Sequence, residues 1–314
     1  MDGVRGEPYV CRDDPPDLVE VSLALRVVKF GKAAGPDGVS AELLRSGGVW
    51  VKDWLVRLFG AVWREGVVPE EWGDAVLVPV HKKGDALVCG NFRGVSLMVV
   101  AAKVLERVLL ARLVGPREER AREEQAGFRR GRSCVDQVFC VRRLLEERVE
   151  FGLPVAVAAL DFSAAYDSVD REVLWRVLEL EEVGQGMLRV LRALGEKTRC
   201  RVKVEGQCSE GFEVKSGVRQ GSVLSPLLFG VVMDWVMRKA VGEGGEGVLV
   251  APGMRVSDLD FADDVLLVGE SLDVLRRAVE AVEREGAVFG LRLNPAKTKW
   301  MGSPGWGKES CWLE

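Results

Sequence analysis

Three aspartates stand where apolar, strand-like segments end, and their positions are the part of this chain that could carry chemistry. Asp161 closes the apolar run from Val155 to Leu160, while Asp263 and Asp264 lie side by side between two further apolar stretches. A carboxylate beside a hydrophobic core needs a cation, a set of hydrogen-bond donors or open solvent. Adjacent acids repel each other, and a divalent cation relieves that repulsion. Taken singly, each of these sites also fits an ordinary turn.

The three carboxylates can converge on one site if the two strands, about a hundred residues apart, are neighbours in a sheet. Oxygen ligands with no histidine or thiolate nearby favour a hard ion such as Mg²⁺. Two such ions would activate a 3′-hydroxyl and stabilise a leaving pyrophosphate. The residue types therefore indicate two-metal chemistry on phosphates, by a nucleotidyl transferase or by a hydrolase.

The elements that must position these aspartates follow from the spacing of apolar residues. Helical spacing predicts helices over 18–30, 41–63, 95–114, 135–149, 171–194, 225–240 and 272–289, with an interruption of the fifth near 184–186. Strand patterns cover 75–80, 155–160, 198–205, 211–216, the two flanks of the Asp263-Asp264 turn and a last short segment. The Gly115-Pro116 pair is expected to end the third helix. This order predicts an α+β sheet domain preceded by a mainly helical region.

Composition limits the class of protein and of site. The chain has 314 residues, 47% hydrophobic and 29% charged, which is typical of a globular protein, and no apolar run is long enough for a membrane span. Seven cysteines without a CxxC pair and a single histidine predict no zinc site and a reduced, intracellular protein. The net charge of −4 opposes nucleic-acid binding, but basic residues cluster at 81–83, 129–132 and 199–203, so we predict a local basic groove.

Eight sequence blocks resemble one family. In order, LDFSAAYDSVD, SGVRQGSVLSPLLF, LDFADDVLLV and GLRLNPAKTKWM resemble motifs A to D of reverse transcriptases. Upstream, GKAAGPDGVSAELL, VPVHKKGD, CGNFRGVSLM and EEQAGFRRGRSCVDQV resemble the finger motifs of the same enzymes. The resemblance is greatest to the non-LTR (LINE-type) retrotransposon enzymes and extends from about residue 18 to residue 301.

The resemblance implies a right-hand polymerase of the α+β class, with an antiparallel sheet and packed helices in the palm and helical and β elements in the fingers. Residues 1–17 would be a mobile lead-in, 18–150 the fingers and 151–305 the palm, with a helix over 217–240 at the fingers–palm junction. Residues 306–314 would form a tail, so the thumb is expected to be largely absent.

The resemblance also implies roles for individual residues. Asp161, Asp263 and Asp264 match the metal-binding triad, the Phe162 carbonyl adds a ligand, and two Mg²⁺ ions, with Mn²⁺ as the alternative, are the implied cofactors. Lys297 matches a lysine that gives a proton to pyrophosphate. The residues that match nucleotide-binding positions are Lys82 or Lys83, Arg93, Tyr166 as the steric gate against ribose, Gln220 and Gly221. Those that match template contacts are Gln125, Phe128, Arg129 and Arg132.

The implied function is RNA-directed DNA polymerisation with an RNA template, a DNA primer and dNTPs, in the nucleus or cytoplasm. A catalytically idle, RNA-binding remnant of the same fold is the main alternative. A primer-independent RNA polymerase fits less well, because the Tyr166 gate suits deoxynucleotides. A hydrolase would not need the RQG block or the finger cations.

Overall fold

The structure is a computed structural model that describes residues 11–242 and 246–302. Its helices are α1 (Leu18–Arg26), α2 (Ala41–Ser46), α3 (Gly48–Glu65), α4 (Val100–Arg120), α5 (Cys134–Glu150), α6 (Ala165–Ser168), α7 (Arg171–Leu180), α8 (Gln185–Gly195), α9 (Ser225–Ala240) and α10 (Leu272–Val288). Its strands are β1 (Asp74–His81), β2 (Phe92–Met98), β3 (Ala156–Leu160), β4 (Arg199–Val204), β5 (Gln207–Cys208), β6 (Phe212–Glu213), β7 (Val248–Ala251), β8 (Met254–Val256), β9 (Asp258–Phe261), β10 (Asp264–Gly269) and β11 (Lys299–Gly302). The first ten residues of the predicted lead-in and the predicted tail, 306–314, lie outside the described residues.

The chain divides into two compact units. Among the described residues, unit 1 comprises 11–119 and 175–225, and unit 2 comprises 120–174, 226–242 and 246–302. These limits follow compactness and not functional role, so the division into fingers and palm stays a prediction. The mixture of helices and sheets confirms the predicted α+β class.

Unit 2 is built on a four-stranded antiparallel sheet in the order β11-β3-β10-β9. The central strand β3 is buried along most of its length, as its unbroken apolar sequence predicts. Helix α10 begins at the N-cap Ser271, whose side chain accepts a hydrogen bond from the backbone of Val274. Strands β7 and β8 form a separate two-stranded ribbon in the same unit.

Unit 1 contains a second sheet with the order β2-β1-β4-β5, and β6 also pairs with β4. Strands β1 and β2 are antiparallel, whereas β1 and β4 are parallel. On the helical side, the buried Arg112 of α4 makes a two-pronged ion pair with Glu20 of α1, with N–O distances of 2.6 and 2.7 Å. A fork-to-carboxylate pair of this kind fixes the angle between the two helices as well as their separation.

Two of the predicted helices are wrong in detail. Residues 92–98 form strand β2 and not the start of a helix, because each of them pairs with β1, and an apolar run alone does not distinguish the two structures. The helix that follows continues through Pro116 to Arg120. The helix predicted over 41–63 is broken at Gly47-Gly48, where Gly48 takes the left-handed conformation, φ 60°.

None of the helices in the described parts of the chain is long and apolar enough to cross a membrane. The six cysteines in those parts carry free thiols.

Candidate active site

The sheet of unit 2 brings the three predicted aspartates to one edge. Strands β3 and β10 are antiparallel, and their pairing places Leu160 opposite Val265. Asp161 comes directly after Leu160, and Asp264 comes directly before Val265. The two aspartates are therefore opposite each other, at the same end of the two strands. Asp264 also pairs with Phe261 of β9, which leaves Asp263 in the two-residue turn of the β9–β10 hairpin.

The carboxylates at this edge interact electrostatically with one another. Burial raises the pKa of Asp264, and the charges of Asp263 and Asp161 raise it further. Burial also raises the pKa of the Tyr166 hydroxyl, with Asp263 as the second cause. Four acidic groups therefore share one local field, in which negative charge accumulates.

Lys297 supplies a cation at this edge, where its ammonium lies 3.3 Å from Asp161 Oδ2. The lysine belongs to a turn that is fixed to the strand, because the Asn294 N–H donates to the Asp161 carbonyl at 2.7 Å and the Asn294 carbonyl accepts from the N–H groups of Lys297 and Thr298. Asp161 Oδ2 is buried, and no hydrogen bond to it is present within the described residues. Nor do those residues contain three His, Cys, Asp or Glu side chains already grouped around a metal position.

Phe162 is held from both sides. Its ring is buried and lies 3.7 Å from the position that a Cβ would take at Gly286 of α10. Its backbone is bridged to Leu293 through hydrogen bonds from Ser163 N to the Arg292 carbonyl and from Asn294 N to the Asp161 carbonyl. These bonds use the flanking residues, so the Phe162 carbonyl takes no part in them.

The turn that carries Asp263 has an unusual backbone. Ala262 is buried and has φ 61°, in the left-handed region that few residues other than Gly, Asn and Asp adopt. The segment around Gln125 holds this conformation. The Gln125 amide bonds to both the N–H and the carbonyl of Ala262, at 2.8 and 3.3 Å.

Gln125 therefore does not lie where the sequence predicted. It matches a template-contacting position, but the structure leaves only 1% of it exposed and turns its amide inward to Ala262 and to the Gly127 N–H, at 2.7 Å. A side chain in this arrangement has no free face for a nucleic acid, which corrects the prediction of a direct contact.

Tyr166 lies in α6, with its ring between two other aromatic side chains of unit 2. It stacks on Phe229 of α9, with a centroid separation of 4.5 Å, and meets Phe128 edge-on at 6.4 Å. Phe128 itself is 56% exposed. The stack holds the tyrosine ring in one orientation beside the aspartates.

The other predicted template residues follow Phe128. Arg129 is half-buried and donates from Nη1 to the carbonyls of Arg122 and Gln125, at 2.6 and 2.9 Å. Arg132 is exposed and makes a 2.6 Å ion pair with the exposed Glu123.

The predicted triphosphate-binding cations lie in unit 1, on the β1–β2 hairpin. Arg93 pairs with Val80, and the Lys82 N–H donates to the Asn91 carbonyl at 2.8 Å, which continues the ladder beyond β1. Strand alternation therefore puts Lys82 on the face that carries Arg93, whereas Lys83 lies in the bend beyond the ladder. All three side chains are exposed.

Gln220 and Gly221 also lie in unit 1, against β2. The Gln220 carbonyl accepts from the Ser96 N–H at 2.9 Å. Gly221 has φ 120°, and a Cβ there would come within 2.5 Å of the Ser96 carbonyl oxygen. Both observations require glycine at this position.

The sequence reasoning missed Glu106, which organises the loop after Gly221. It is buried in α4 and accepts from the Ser222 hydroxyl at 2.9 Å and from the Val223 N–H at 2.8 Å. Burial raises the pKa of Glu106, and these hydrogen bonds offset only part of that rise. A signal was present, because Glu106 falls at helical spacing from the apolar residues Ala102, Leu109 and Leu113 and so on a stripe that should be buried.

A second group of aspartates lies further down the same hairpin. Arg122, 7% exposed, donates from Nη2 to both oxygens of Asp258 and from Nη1 to Asp260 at 3.3 Å. Burial raises the pKa of Asp260 well above its ordinary value, and the charge of Asp258 raises it further. This internal cation was not predicted.

Comparisons with known proteins agree with the sequence blocks. The family model described as reverse transcriptase (RNA-dependent DNA polymerase) matches residues 80–309. An uncharacterized 149 kDa protein of transposon TX1 from Xenopus laevis is 30% identical over 289 residues, which cover 91% of this chain and 22% of that protein. The Pol polyprotein of the type-2 retrotransposable element R2DM from Drosophila melanogaster is 26% identical over 295 residues, 94% of this chain and 27% of that protein. The chain thus spans about a quarter of the length of these relatives.

Among solved structures, an apo telomerase from Candida tropicalis, truncated from its C-terminal domain, has a similar fold. It matches with a TM-score of 0.55 and 14% identity, over 86% of this chain and 56% of the telomerase chain. The likeness confirms the predicted right-hand polymerase class. With the family match over most of its length and relatives from retrotransposons, this chain belongs to the reverse transcriptase family, as its non-LTR-type motifs predict.

Proposed function

We propose that this chain catalyses RNA-directed DNA synthesis, the addition of dNTPs to the 3′ end of a DNA primer that is paired to an RNA template. The observation that carries the proposal is the gathering of Asp161, Asp263 and Asp264 at one sheet edge, where burial and then the charges of the other two raise the pKa of Asp264. Like charges held together in a folded protein favour a bound cation.

The donors at this edge fit a hard divalent ion, which the family generally uses. All are oxygens, and the buried Asp161 Oδ2 has the 3.3 Å ion pair with Lys297 but no hydrogen bond within the described residues. Asp161, Asp263, Asp264 and the Phe162 carbonyl would hold two Mg²⁺ ions, or Mn²⁺ in their place. Bound ions would supply activation of the primer 3′-hydroxyl and stabilisation of charge on the pyrophosphate.

Lys297 would hold the proton that the pyrophosphate takes up. Its ammonium is within ion-pair distance of Asp161, yet 66% of the side chain is exposed. An exposed lysine can exchange one partner for another at small cost, because surface ion pairs contribute little stability. Lys297 could therefore turn from Asp161 toward the nucleotide and hold the proton there.

The incoming nucleotide would be selected by the residues that match nucleotide-binding positions of the family. The stacked ring of Tyr166 is a rigid wall against a ribose 2′-hydroxyl. Lys82 and Arg93 share one face of the β1–β2 hairpin, which favours Lys82 over Lys83 for the triphosphate. Gln220 and Gly221 would line the base and sugar, where glycine permits close approach.

The template and primer would be bound mainly through their phosphates. Phe128 offers an exposed ring for stacking, and Arg132, with Arg129 beside it, offers positive charge. We assign finger roles to 18–150 and palm roles to 151–305. The free thiols of the described residues suit a reducing compartment, so we place the reaction in the nucleus or cytoplasm.

The test is primer extension by the purified chain on an RNA template with a DNA primer, with Mg²⁺ and then with Mn²⁺. We expect template-dependent extension with dNTPs that chelation of the metal abolishes. Binding of the RNA–DNA duplex without extension under either ion would support the idle RNA-binding remnant instead.

A further inference from the structure

Gln125 lies beside the turn that presents Asp263, and its surroundings give it a specific task. Its Oε1 accepts two hydrogen bonds, from Ala262 N at 2.8 Å and from Gly127 N at 2.7 Å, while its Nε2 donates to the Ala262 carbonyl at 3.3 Å. The residue before Asp263 is thus bonded on both of its backbone polar groups by one side chain.

The backbone around Gln125 reinforces this contact. Ala126 N donates to the Asp260 carbonyl, and Asp260 N donates to the Glu124 carbonyl, both at 2.9 Å, so the segment lies as a short parallel addition beside β9. Gly127 lies against the turn itself, since a Cβ there would come within 2.2 Å of Ala262 N. At position 127, only glycine permits the segment to approach the hairpin this closely.

The turn needs such support because its backbone is costly. A non-glycine residue in the left-handed region costs of order 1–3 kcal/mol and persists only where its surroundings fix it. Ala262 has φ 61° and is buried, so its N–H must find an acceptor inside the protein. Gln125 supplies that acceptor.

We infer that Gln125 is a positioning residue. It fixes the Ala262-Asp263 turn so that the Asp263 carboxylate is presented at the edge shared with Asp161 and Asp264. The inference rests on the proposed function, because it treats that edge as the place where a divalent ion is bound. Residues that orient metal ligands without touching the metal typically change metal affinity or activity by about 10- to 100-fold when they are removed.

The test compares three full-length variants. Gln125→Met keeps the size of the side chain but removes all three hydrogen bonds. Gln125→Glu keeps the acceptor oxygen for both N–H groups and loses only the 3.3 Å bond. Gln137→Met is the matched control, because the Gln137 amide donates to the Glu124 and Asp260 carbonyls, at 2.7 and 3.2 Å, but makes no bond to the turn.

The first measurement is hydrogen exchange followed by mass spectrometry. In Gln125→Met, peptides covering the β9–β10 turn should exchange faster, while peptides from β1 and β2 should be unchanged. Gln125→Glu should retain most of the protection, and Gln137→Met should retain it in the turn. Equal loss of turn protection in Gln125→Met and Gln137→Met would overturn the inference, as would unchanged exchange in Gln125→Met.

The second measurement is binding of Mn²⁺ alone, followed by electron paramagnetic resonance, with primer extension alongside. Gln125→Met should bind Mn²⁺ about 10- to 100-fold more weakly and lose kcat with little change in KM for dNTP, whereas Gln137→Met should stay within about twofold of wild type. Wild-type affinity in Gln125→Met would overturn the inference. A wild-type chain that binds Mn²⁺ but extends no primer would overturn the proposed function alone, and one that binds no Mn²⁺ would overturn both.

Discussion

The β9–β10 hairpin carries two groups of carboxylates that the protein treats in opposite ways. The base carboxylates, Asp258 and Asp260, are fully buried and share the guanidinium of Arg122. Ser257 adds a hydroxyl donor at 2.6 Å from Asp258 Oδ1. Their negative charge is compensated inside the fold by a cation that is itself 7% exposed and cannot leave without local unfolding.

Within the described residues, no buried arginine pairs with the tip carboxylates, Asp161, Asp263 and Asp264. The cation beside them is Lys297, whose side chain is largely exposed and lies 3.3 Å from one of the three, Asp161. This contrast indicates that the base acids stabilise the fold, and it supports the proposal that the tip acids bind a cation. An acid with a buried arginine stabilises the protein, and acids gathered without one favour an external cation.

The largest expected effect follows from removing charge at the tip. Asp263→Asn or Asp161→Asn should reduce single-turnover primer extension on the order of 10⁴-fold, the scale seen when one member of a catalytic unit is lost. Thermal stability should stay the same or rise, because the substitution removes repulsion between like charges. Extension assays and thermal unfolding of the same preparations check both halves.

Asp273→Asn, an acid in the first turn of α10, is the control for a general loss of negative charge. If that variant and Asp263→Asn lost extension to the same degree, the tip would have no special role.

Removal of the cation at the base should give the reverse pattern. Arg122→Met leaves two buried carboxylates without compensation, which typically costs about 3–5 kcal/mol of unfolding free energy. Molecules that remain folded should keep their kcat, since the Arg122 guanidinium bonds to the base carboxylates Asp258 and Asp260. Urea unfolding measures the loss of stability, and extension assays on the same variant measure kcat. A variant that is stable but inactive would contradict the difference proposed between base and tip.

The tip could be predicted from the sequence because its signals are local. An apolar run that ends in Asp161, and a pair of acids between strand-like stretches, predict strand ends without knowledge of any partner. The start of α2 is local in the same way, because the Ser40 side chain accepts a hydrogen bond from the Leu43 N–H three residues later. These features depend on residues within a few positions of one another.

The base and the Gln125 contact could not be predicted, because they depend on pairing between distant segments. Nothing near Gln125 in sequence indicates that it lies beside Asp260, more than a hundred residues later. The same limit explains strand β2, since its apolar residues fit a helix until β1 is known to lie beside it. The burial of Glu106 could have been predicted, because it is an acid on an otherwise apolar helical stripe.

A smaller effect is expected at Tyr166, the proposed steric gate against ribose. Tyr166→Ala should reduce the preference for dNTPs over NTPs by about 10- to 100-fold, the discrimination that one steric contact typically provides. Phe229→Leu, which removes the stacked ring but leaves the tyrosine, should reduce it less. The measurement is the incorporation of dNTP and of NTP opposite the same template base. An unchanged ratio of the two in Tyr166→Ala would show that Tyr166 is not the steric gate.

Within the base, the stability that Asp260 contributes should depend on pH. Because the folded pKa of Asp260 lies above its unfolded value of about 3.9, stability from this group is complete below that value and is lost as pH rises through the folded pKa. Asp260→Asn does not titrate, so its stability relative to wild type should increase from pH 4 to pH 8. Urea unfolding across that range gives the difference, and a difference independent of pH would contradict the raised pKa.

The smallest effect is expected at Arg132, which lies on the surface in the same segment as the buried Arg122. Arg132 pairs with Glu123, and both side chains are substantially exposed, so Arg132→Ala should change stability by no more than about 0.5 kcal/mol. If Arg132 contacts a template phosphate, the same substitution should flatten the slope of log affinity against log salt by about one unit. Glu123→Gln frees the arginine without removing it and should leave the slope as steep as in wild type. Titration of an RNA–DNA duplex at several salt concentrations compares the three chains. Identical slopes for Arg132→Ala and wild type would show that the overall charge of −4 hides no basic groove at this arginine.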